Sequence, residues 1–152
     1  MEKISIEDVE PGAFGRDIDR RGLSEPLDTG NVAVNRYRLE PDERFSGGLH
    51  AHMDQEEVFI VIEGEATFET MDGEVSVAAG EAIRFAPGEF QSGKNAGEEP
   101  VVAFALGAPR DTQDVRIPQP CPECGHENVR ALPADDGFDL VCPECEAEID
   151  GA

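Results

Sequence analysis

The chain has 152 residues, which fits one domain of ordinary size with a small appendage. Its formal net charge is −22, from 34 acidic and 12 basic residues, and this charge argues against nucleic-acid phosphates or an anionic membrane as a partner. No apolar stretch approaches the length of a bilayer span, and the first ten residues lack the apolar region of a signal peptide, so we expect a cytoplasmic protein.

The acidic residues are spread along the chain, and only two of the basic residues, Lys3 and Lys94, are lysines. Diffuse acidity with few lysines is typical of proteins adapted to high intracellular salt, where the Debye length falls to about 3 Å near 1 M and repulsion between carboxylates is screened. We therefore expect a halophilic protein of haloarchaeal type. The alternative is an acidic protein whose charge serves only solubility.

Residues 4–9 predict a short helical turn, because Ser5 and Asp8 have capping-box spacing and Pro11-Gly12 ends the segment. From Asn31 onward the pattern predicts short strands bounded by turn residues. These are Val32–Leu39, Leu49–His52, Val58–Glu63, Ala66–Thr70, Val75–Ala78, Ala82–Phe85 and Val101–Leu106. Their close spacing, with Asp72-Gly73 as a hairpin turn, predicts an antiparallel sandwich or barrel.

The predicted core of this barrel consists of the bulky apolar residues of the strands. They are Phe59, Val61, Phe68, Val75, Val77, Ile83, Phe85 and Phe104. In the first strand Arg36 and Arg38 share one face and Tyr37 takes the other. Either the arginines bind an anionic substrate inside the barrel, or Tyr37 packs there.

Two histidines and a carboxylate follow one another in the segment His50-Ala-His52-Met-Asp-Gln-Glu-Glu57. Because alternate side chains of a strand point to one face, His50 and His52 would project together, and Glu57 could join them from the adjacent strand. Two imidazoles and one carboxylate form the facial triad of non-haem iron sites, which leaves coordination positions open. Glu56 would then point to the opposite face, toward solvent.

This segment resembles the first motif of the cupin superfamily, G-x5-H-x-H-x3,4-E-x6-G, with His50, His52, Glu57 and Gly64 in place. The second motif, G-x5-P-x-G-x2-H-x3-N, has a counterpart in Gly80, Gly88 and Asn95, but Ala86 replaces its proline and Gln91 its histidine. The resemblance covers about residues 30–108. It implies a cupin-type antiparallel β-barrel of jelly-roll type.

The resemblance also implies a divalent metal ion, Fe, Mn, Ni or Zn, held by His50, His52 and Glu57, with Gln91 as a weaker fourth ligand or a hydrogen-bond partner. It implies a homodimer and a small-molecule ligand or substrate. One hypothesis is a metal-dependent enzyme of oxygenase or isomerase type. The other is a non-catalytic ligand-binding or regulatory module, which the neutral Gln91 favours.

Four cysteines lie near the C-terminus, in two Cys-Pro-Glu-Cys segments separated by seventeen residues: Cys121, Cys124, Cys142 and Cys145. This spacing predicts a structural zinc site with four thiolates and resembles a zinc ribbon. The alternatives are two disulfides, which do not suit a chain without export, or a redox pair, which needs a single Cys-x-x-Cys.

We expect a barrel over residues 1–108, with its core at about 30–108, a linker or extended arm over 109–118, and a ribbon over 119–152. Within the ribbon, Val129–Leu132 and Phe138–Val141 predict a hairpin. Arg130 is its only basic residue, so a protein partner suits the ribbon better than nucleic acid.

The charge pattern generates a prediction about salt. The free energy of unfolding should rise with KCl concentration up to molar levels, because screening removes repulsion among the carboxylates. Thermal unfolding between about 0.1 and 2 M KCl measures this dependence. Full stability in dilute buffer would contradict salt adaptation.

Overall fold

The computed structural model describes residues 1–12, 18–135 and 137–149. The predicted helical turn is a short 3-10 turn, Ile6–Asp8, and Ser5 precedes it without a side-chain capping bond. Thirteen strands make up the remaining regular structure of the described residues: β1 Asp19–Gly22, β2 Ala33–Leu39, β3 Ala51–His52, β4 Glu56–Glu63, β5 Glu65–Thr70, β6 Gly73–Ala78, β7 Ala82–Phe85, β8 Gln91–Lys94, β9 Val101–Ala108, β10 Val115–Ile117, β11 Val129–Ala134, β12 Gly137–Val141 and β13 Glu148–Ile149. Among these residues no helix is long and apolar enough to cross a membrane.

Two antiparallel sheets build the barrel. One has the strand order β1-β2-β9-β4-β7, and the other has the order β6-β5-β8. Long-range pairings dominate the first sheet, because β9 lies between β2 and β4 although many residues separate them in sequence. The expected all-β architecture is therefore present, and its two sheets enclose one apolar core.

Aromatic rings fill the centre of that core. Phe45 and Phe68 stack with ring planes 9° apart and centroids 5.7 Å apart, and Phe59 contacts both rings at a tilt. Tyr37 is buried against Phe45. Of the two alternatives for β2, the structure therefore has Tyr37 inside and the arginines outside, where Arg36 pairs with Asp19 at 2.9 Å.

Two of the predicted core residues lie elsewhere. Val75 is 45% exposed, because it lies near the hairpin end of β6, an edge strand. Phe104 is only half-buried, because Ala103 and Ala105 occupy the inward face of β9 and alternation turns Phe104 to the other face. The predicted core was wrong at these two positions.

A third sheet joins the ribbon to the barrel. Its order is β13-β12-β11-β10-β3, so it contains the strand that carries His52. β10 lies within residues 109–118, the predicted linker or arm, and pairs with β3 on one side and β11 on the other. The predicted ribbon hairpin is present as β11 and β12, over a small core of Val129, Ala131 and Leu140.

Gly93 tests how tightly the aromatic core is packed. A Cβ at this position would lie 2.5 Å from Phe45 Cδ2 and 2.6 Å from Phe68 Cε1. Gly93→Ala should lower the free energy of unfolding by about 1–3 kcal/mol, because rings packed at this density cannot yield freely. Urea unfolding measures the change. Gly30→Ala is the matched control, since a Cβ there meets nothing within 4 Å, and equal losses in both variants would contradict the packing argument.

Candidate metal centres

The structure brings His50, His52 and Glu57 to one point. His52 ends β3, His50 forms an isolated bridge with Gln91, and Glu57 is the second residue of β4. One ligand atom from each of the three residues lies within 4.8 Å of the others. The imidazole rings are 5.1 Å apart and nearly perpendicular, so they approach the shared point from different directions.

Hydrogen bonds on the far side of each ring orient the imidazoles. His50 Nδ1 lies 2.8 Å from the carbonyl oxygen of Gly48, which can only accept, so Nδ1 carries the proton and Nε2 keeps its lone pair. His52 Nδ1 lies 3.3 Å from Thr112 Oγ1, and its Nε2 lies 3.5 Å from Glu57 Oε2. Both Nε2 atoms are therefore directed as metal ligands.

Burial sets the protonation of the three groups. It lowers the pKa of His50, and it lowers the pKa of His52 to about 4 with a further contribution from His50. It raises the pKa of Glu57 to about 7, against the effect of a hydrogen bond from Gln91. At neutral pH the imidazoles are neutral, so the contact of His52 with Glu57 is not an ion pair, and both rings are in the form that binds metals.

Gln91 is the fourth polar residue of the site and lies beside Glu57. Its side chain is 3% exposed, and Nε2 donates a hydrogen bond of 2.9 Å to Glu57 Oε2. Its Oε1 is buried and has no hydrogen-bond partner among the described residues. A buried acceptor without a partner costs free energy, so this atom fits a site that is completed by a metal or ligand. The donor set of two imidazoles, a carboxylate and an amide oxygen suits a divalent transition metal.

The candidate site opens onto a cavity of about 890 Å³ within the barrel, which is lined by His50, His52, Glu57 and Gln91. Tyr37, Phe45 and Phe59 form part of its apolar wall, while Arg20 and Arg110 add positive charge. Neither Arg20 nor Arg110 was predicted from the sequence, because β1 lacks alternating hydrophobicity and Arg110 lies in the predicted linker. Glu56, expected to face solvent, pairs with Arg84 at the surface at 2.6 Å.

The four cysteines form a second, separate site. The sulfur of Cys121 lies 3.7 Å from that of Cys145, and the sulfur of Cys124 lies 3.5 Å from that of Cys142. These distances are too long for disulfides and close to the ~3.8 Å edge of a tetrahedron with Zn–S bonds of about 2.3 Å. All four sulfurs lie within 4.8 Å of one another, as a closed zinc site requires.

Both cysteine turns have the same backbone. Gly125 N donates to Cys121 O at 2.9 Å, and Glu146 N donates to Cys142 O at 3.1 Å. The residue after the second cysteine of each turn has a left-handed φ, +77° at Gly125 and +60° at Glu146. Glycine adopts this conformation freely, whereas glutamate does so at a cost, which bound zinc would offset.

Comparison with protein families supports the barrel assignment. Residues 35–107 match the family model described as the cupin domain. The predicted cupin-type barrel is thereby confirmed as the fold of this region. A comparison with curated proteins found no significant match.

Several solved structures share the fold. A sugar phosphate isomerase of the cupin superfamily from Silicibacter pomeroyi is 19% identical, covers 95% of this chain and 94% of its own, and has a TM-score of 0.72. A polyketide cyclase from Streptomyces resistomycificus is 23% identical, covers 76% and 83%, and has a TM-score of 0.62. A conserved protein with a double-stranded β-helix domain from Klebsiella pneumoniae is 22% identical, covers 73% and 87%, and has a TM-score of 0.60. Because the alignment with the Silicibacter pomeroyi structure covers 95% of this chain, it includes most of residues 119–152.

The pKa of Glu57 generates a prediction about stability. A carboxyl whose pKa rises on folding from 4.5 to about 7 destabilises the folded protein increasingly as pH rises through this window. In protein whose barrel holds no metal, Glu57→Gln should therefore be more stable than wild type at pH 8, by a margin about 2 kcal/mol larger than at pH 5. Urea unfolding at the two pH values measures the margin.

The matched control is Glu56→Gln, which removes the neighbouring exposed carboxylate from β4 without touching the site. The same pH-dependent margin in both variants would show that burial of Glu57 is not its cause.

Proposed function

We propose that this chain, whose barrel is a cupin domain, is an enzyme that uses a divalent metal ion to rearrange a small polar molecule. The observation that carries the proposal is the convergence of His50, His52 and Glu57 on one point in the wall of a cavity large enough for such a molecule. Three protein ligands leave coordination positions free for the substrate.

The protein residues have separate parts in this proposal. His50 Nε2, His52 Nε2 and the Glu57 carboxylate would hold the cation, which would act as a Lewis acid on a carbonyl or hydroxyl group. Gln91 Nε2 holds Glu57 in position, and Oε1 of Gln91 would accept a hydrogen bond from a ligand hydroxyl group. Tyr37, Phe45 and Phe59 give the same space an apolar wall.

The substrate class is inferred from the two arginines of the cavity, whose lining also includes the acidic Glu57 and Asp135. The chain as a whole carries −22, yet Arg20 and Arg110 both line this cavity. Arg110 is oriented by a hydrogen bond to Thr29 O of 2.5 Å and by an ion pair with Glu25. Guanidinium groups recognise phosphate and carboxylate, so we propose a small anion such as a sugar phosphate, and the fold shared with the isomerase from Silicibacter pomeroyi supports this choice.

Isomerisation would need no second substrate. A proton leaves the hydroxyl-bearing carbon next to a carbonyl group and is returned to the former carbonyl carbon, while the proton of that hydroxyl group moves to the former carbonyl oxygen, so atoms and electrons balance within one molecule. Oxygenase chemistry is the second candidate, favoured by the two-histidine, one-carboxylate ligand set. The isomerase and the oxygenase differ in their need for oxygen.

The metal content of histidine variants tests the site. We expect wild type to bind one zinc ion in the ribbon and one further divalent ion in the barrel. His50→Ala and His52→Ala should lose only the second ion, whereas His126→Ala, which changes the remaining histidine, should keep both. Elemental analysis measures the content. Wild-type protein that binds only one metal ion per chain would reject both the barrel site and the enzyme built on it.

Activity is tested with Mn²⁺, Fe²⁺, Ni²⁺ or Zn²⁺ in the barrel. Aldose and ketose phosphates, incubated in D₂O without oxygen, should incorporate deuterium next to the carbonyl carbon with wild type and not with His50→Ala. Consumption of oxygen with Fe²⁺ would favour the oxygenase instead. Ligand binding that raises the melting temperature without any turnover would favour the non-catalytic module.

A further inference from the structure

The strand that carries the metal ligand His52 is also the edge strand of the ribbon sheet. In the pairing of β3 with β10, Val115 lies opposite His52 and Arg116 opposite Ala51. Met53 N donates a further hydrogen bond of 2.8 Å to Asp114 O. Backbone hydrogen bonds therefore fix the segment before β10 against the metal-binding strand.

That segment brings a hydroxyl group to His52. Thr112 Oγ1 donates to Asp54 Oδ1 at 2.5 Å, so its proton is committed and its lone pairs face the ring nitrogen of His52 at 3.3 Å. Asp54 Oδ2 also accepts from Gln113 N at 2.8 Å, which holds the carboxylate in place. An acceptor at this position requires the proton on Nδ1 of His52 and leaves Nε2 free beside Glu57.

The ribbon in turn holds the segment. Arg130, on β11, donates from Nη2 to Gln113 O at 2.8 Å, and its Nε lies 3.7 Å from Asp114 Oδ1. Arg116 binds the same Asp114 carboxylate and also donates to Asn128 Oδ1 at 3.0 Å. The ribbon also reaches the barrel cavity directly, because Pro133 and Phe138 at the tip of its hairpin line that cavity.

We propose that Thr112 is a positioning residue through which the ribbon sets the tautomer and orientation of the metal ligand His52. The inference rests on the proposed metal site and adds that the ribbon is part of it rather than an independent appendage. Hydrogen-bond partners of metal-ligating histidines commonly affect metal affinity by about 10- to 100-fold, which makes the effect measurable.

The test measures the affinity of the barrel for Co²⁺, by its visible absorption, in protein whose ribbon holds zinc. Thr112→Val should weaken Co²⁺ binding about tenfold or more, and Thr112→Ser should restore it to within about threefold. The matched control is Thr70→Val, which removes a hydroxyl hydrogen bond of 2.9 Å to Gly73 O in the β5–β6 hairpin and should leave the affinity unchanged. Wild-type affinity in Thr112→Val would overturn the proposal.

Two further measurements separate positioning from general stability. In metal-free protein, ¹⁵N NMR of His52 should show the Nδ1–H tautomer in wild type and a mixture in Thr112→Val. Arg130→Leu, which keeps all four cysteines, should weaken Co²⁺ binding about threefold while zinc content stays at one per chain, since it removes only part of the anchoring. Unchanged affinity in Arg130→Leu would overturn the part assigned to the ribbon. If wild type binds no Co²⁺ in the barrel, the proposed function fails, whereas the tautomer of His52 still tests Thr112.

Discussion

The buried carboxyl group of Glu57 is the group on which the organisation of the barrel site depends. An ionised carboxylate away from water is costly unless a cation or several donors compensate it, and Gln91 supplies only one hydrogen bond. Among the described residues no lysine or arginine forms an ion pair with it. The two imidazoles point their lone pairs at the same place, so a divalent cation would compensate all three groups together. The aromatic cluster packs beside this polar point, which a bound metal ion would complete.

Much of this arrangement could be predicted from local sequence patterns. Strand alternation predicted that His50 and His52 share one face, because it depends on neighbours in the chain. Gln91 was assigned to the same site only by the resemblance to the second cupin motif. Features that depend on pairing between distant segments could not be predicted. β1 and β8 lack alternating hydrophobicity, and β10 is a strand only because β3 and β11 lie on either side of it. The inward face of β9 likewise depends on its register, so Phe104 was placed wrongly.

The two candidate metal centres differ in whether they leave a coordination position free for a ligand. The cysteine cluster has four ligands and no free position, so zinc there would stabilise a module with a core too small to fold alone. The barrel site has three ligands and an unpartnered amide oxygen, and it opens onto a cavity. One sheet connects the two centres, because β3 carries His52 and Cys142 directly follows β12 of the same sheet.

The pairing of β3 with β10 also constrains how the length of this chain can change during evolution. Six residues, 109–114, join the end of β9 to β10, and they must deliver both Thr112 and the Asp114 carbonyl to β3. An insertion there would displace Thr112 or Asp114 from β3, whereas Met71 and Asp72, exposed at the tip of the β5–β6 hairpin, can accept extra residues without moving either centre. Homologous chains should therefore vary in length at that hairpin and keep the distance between barrel and ribbon constant.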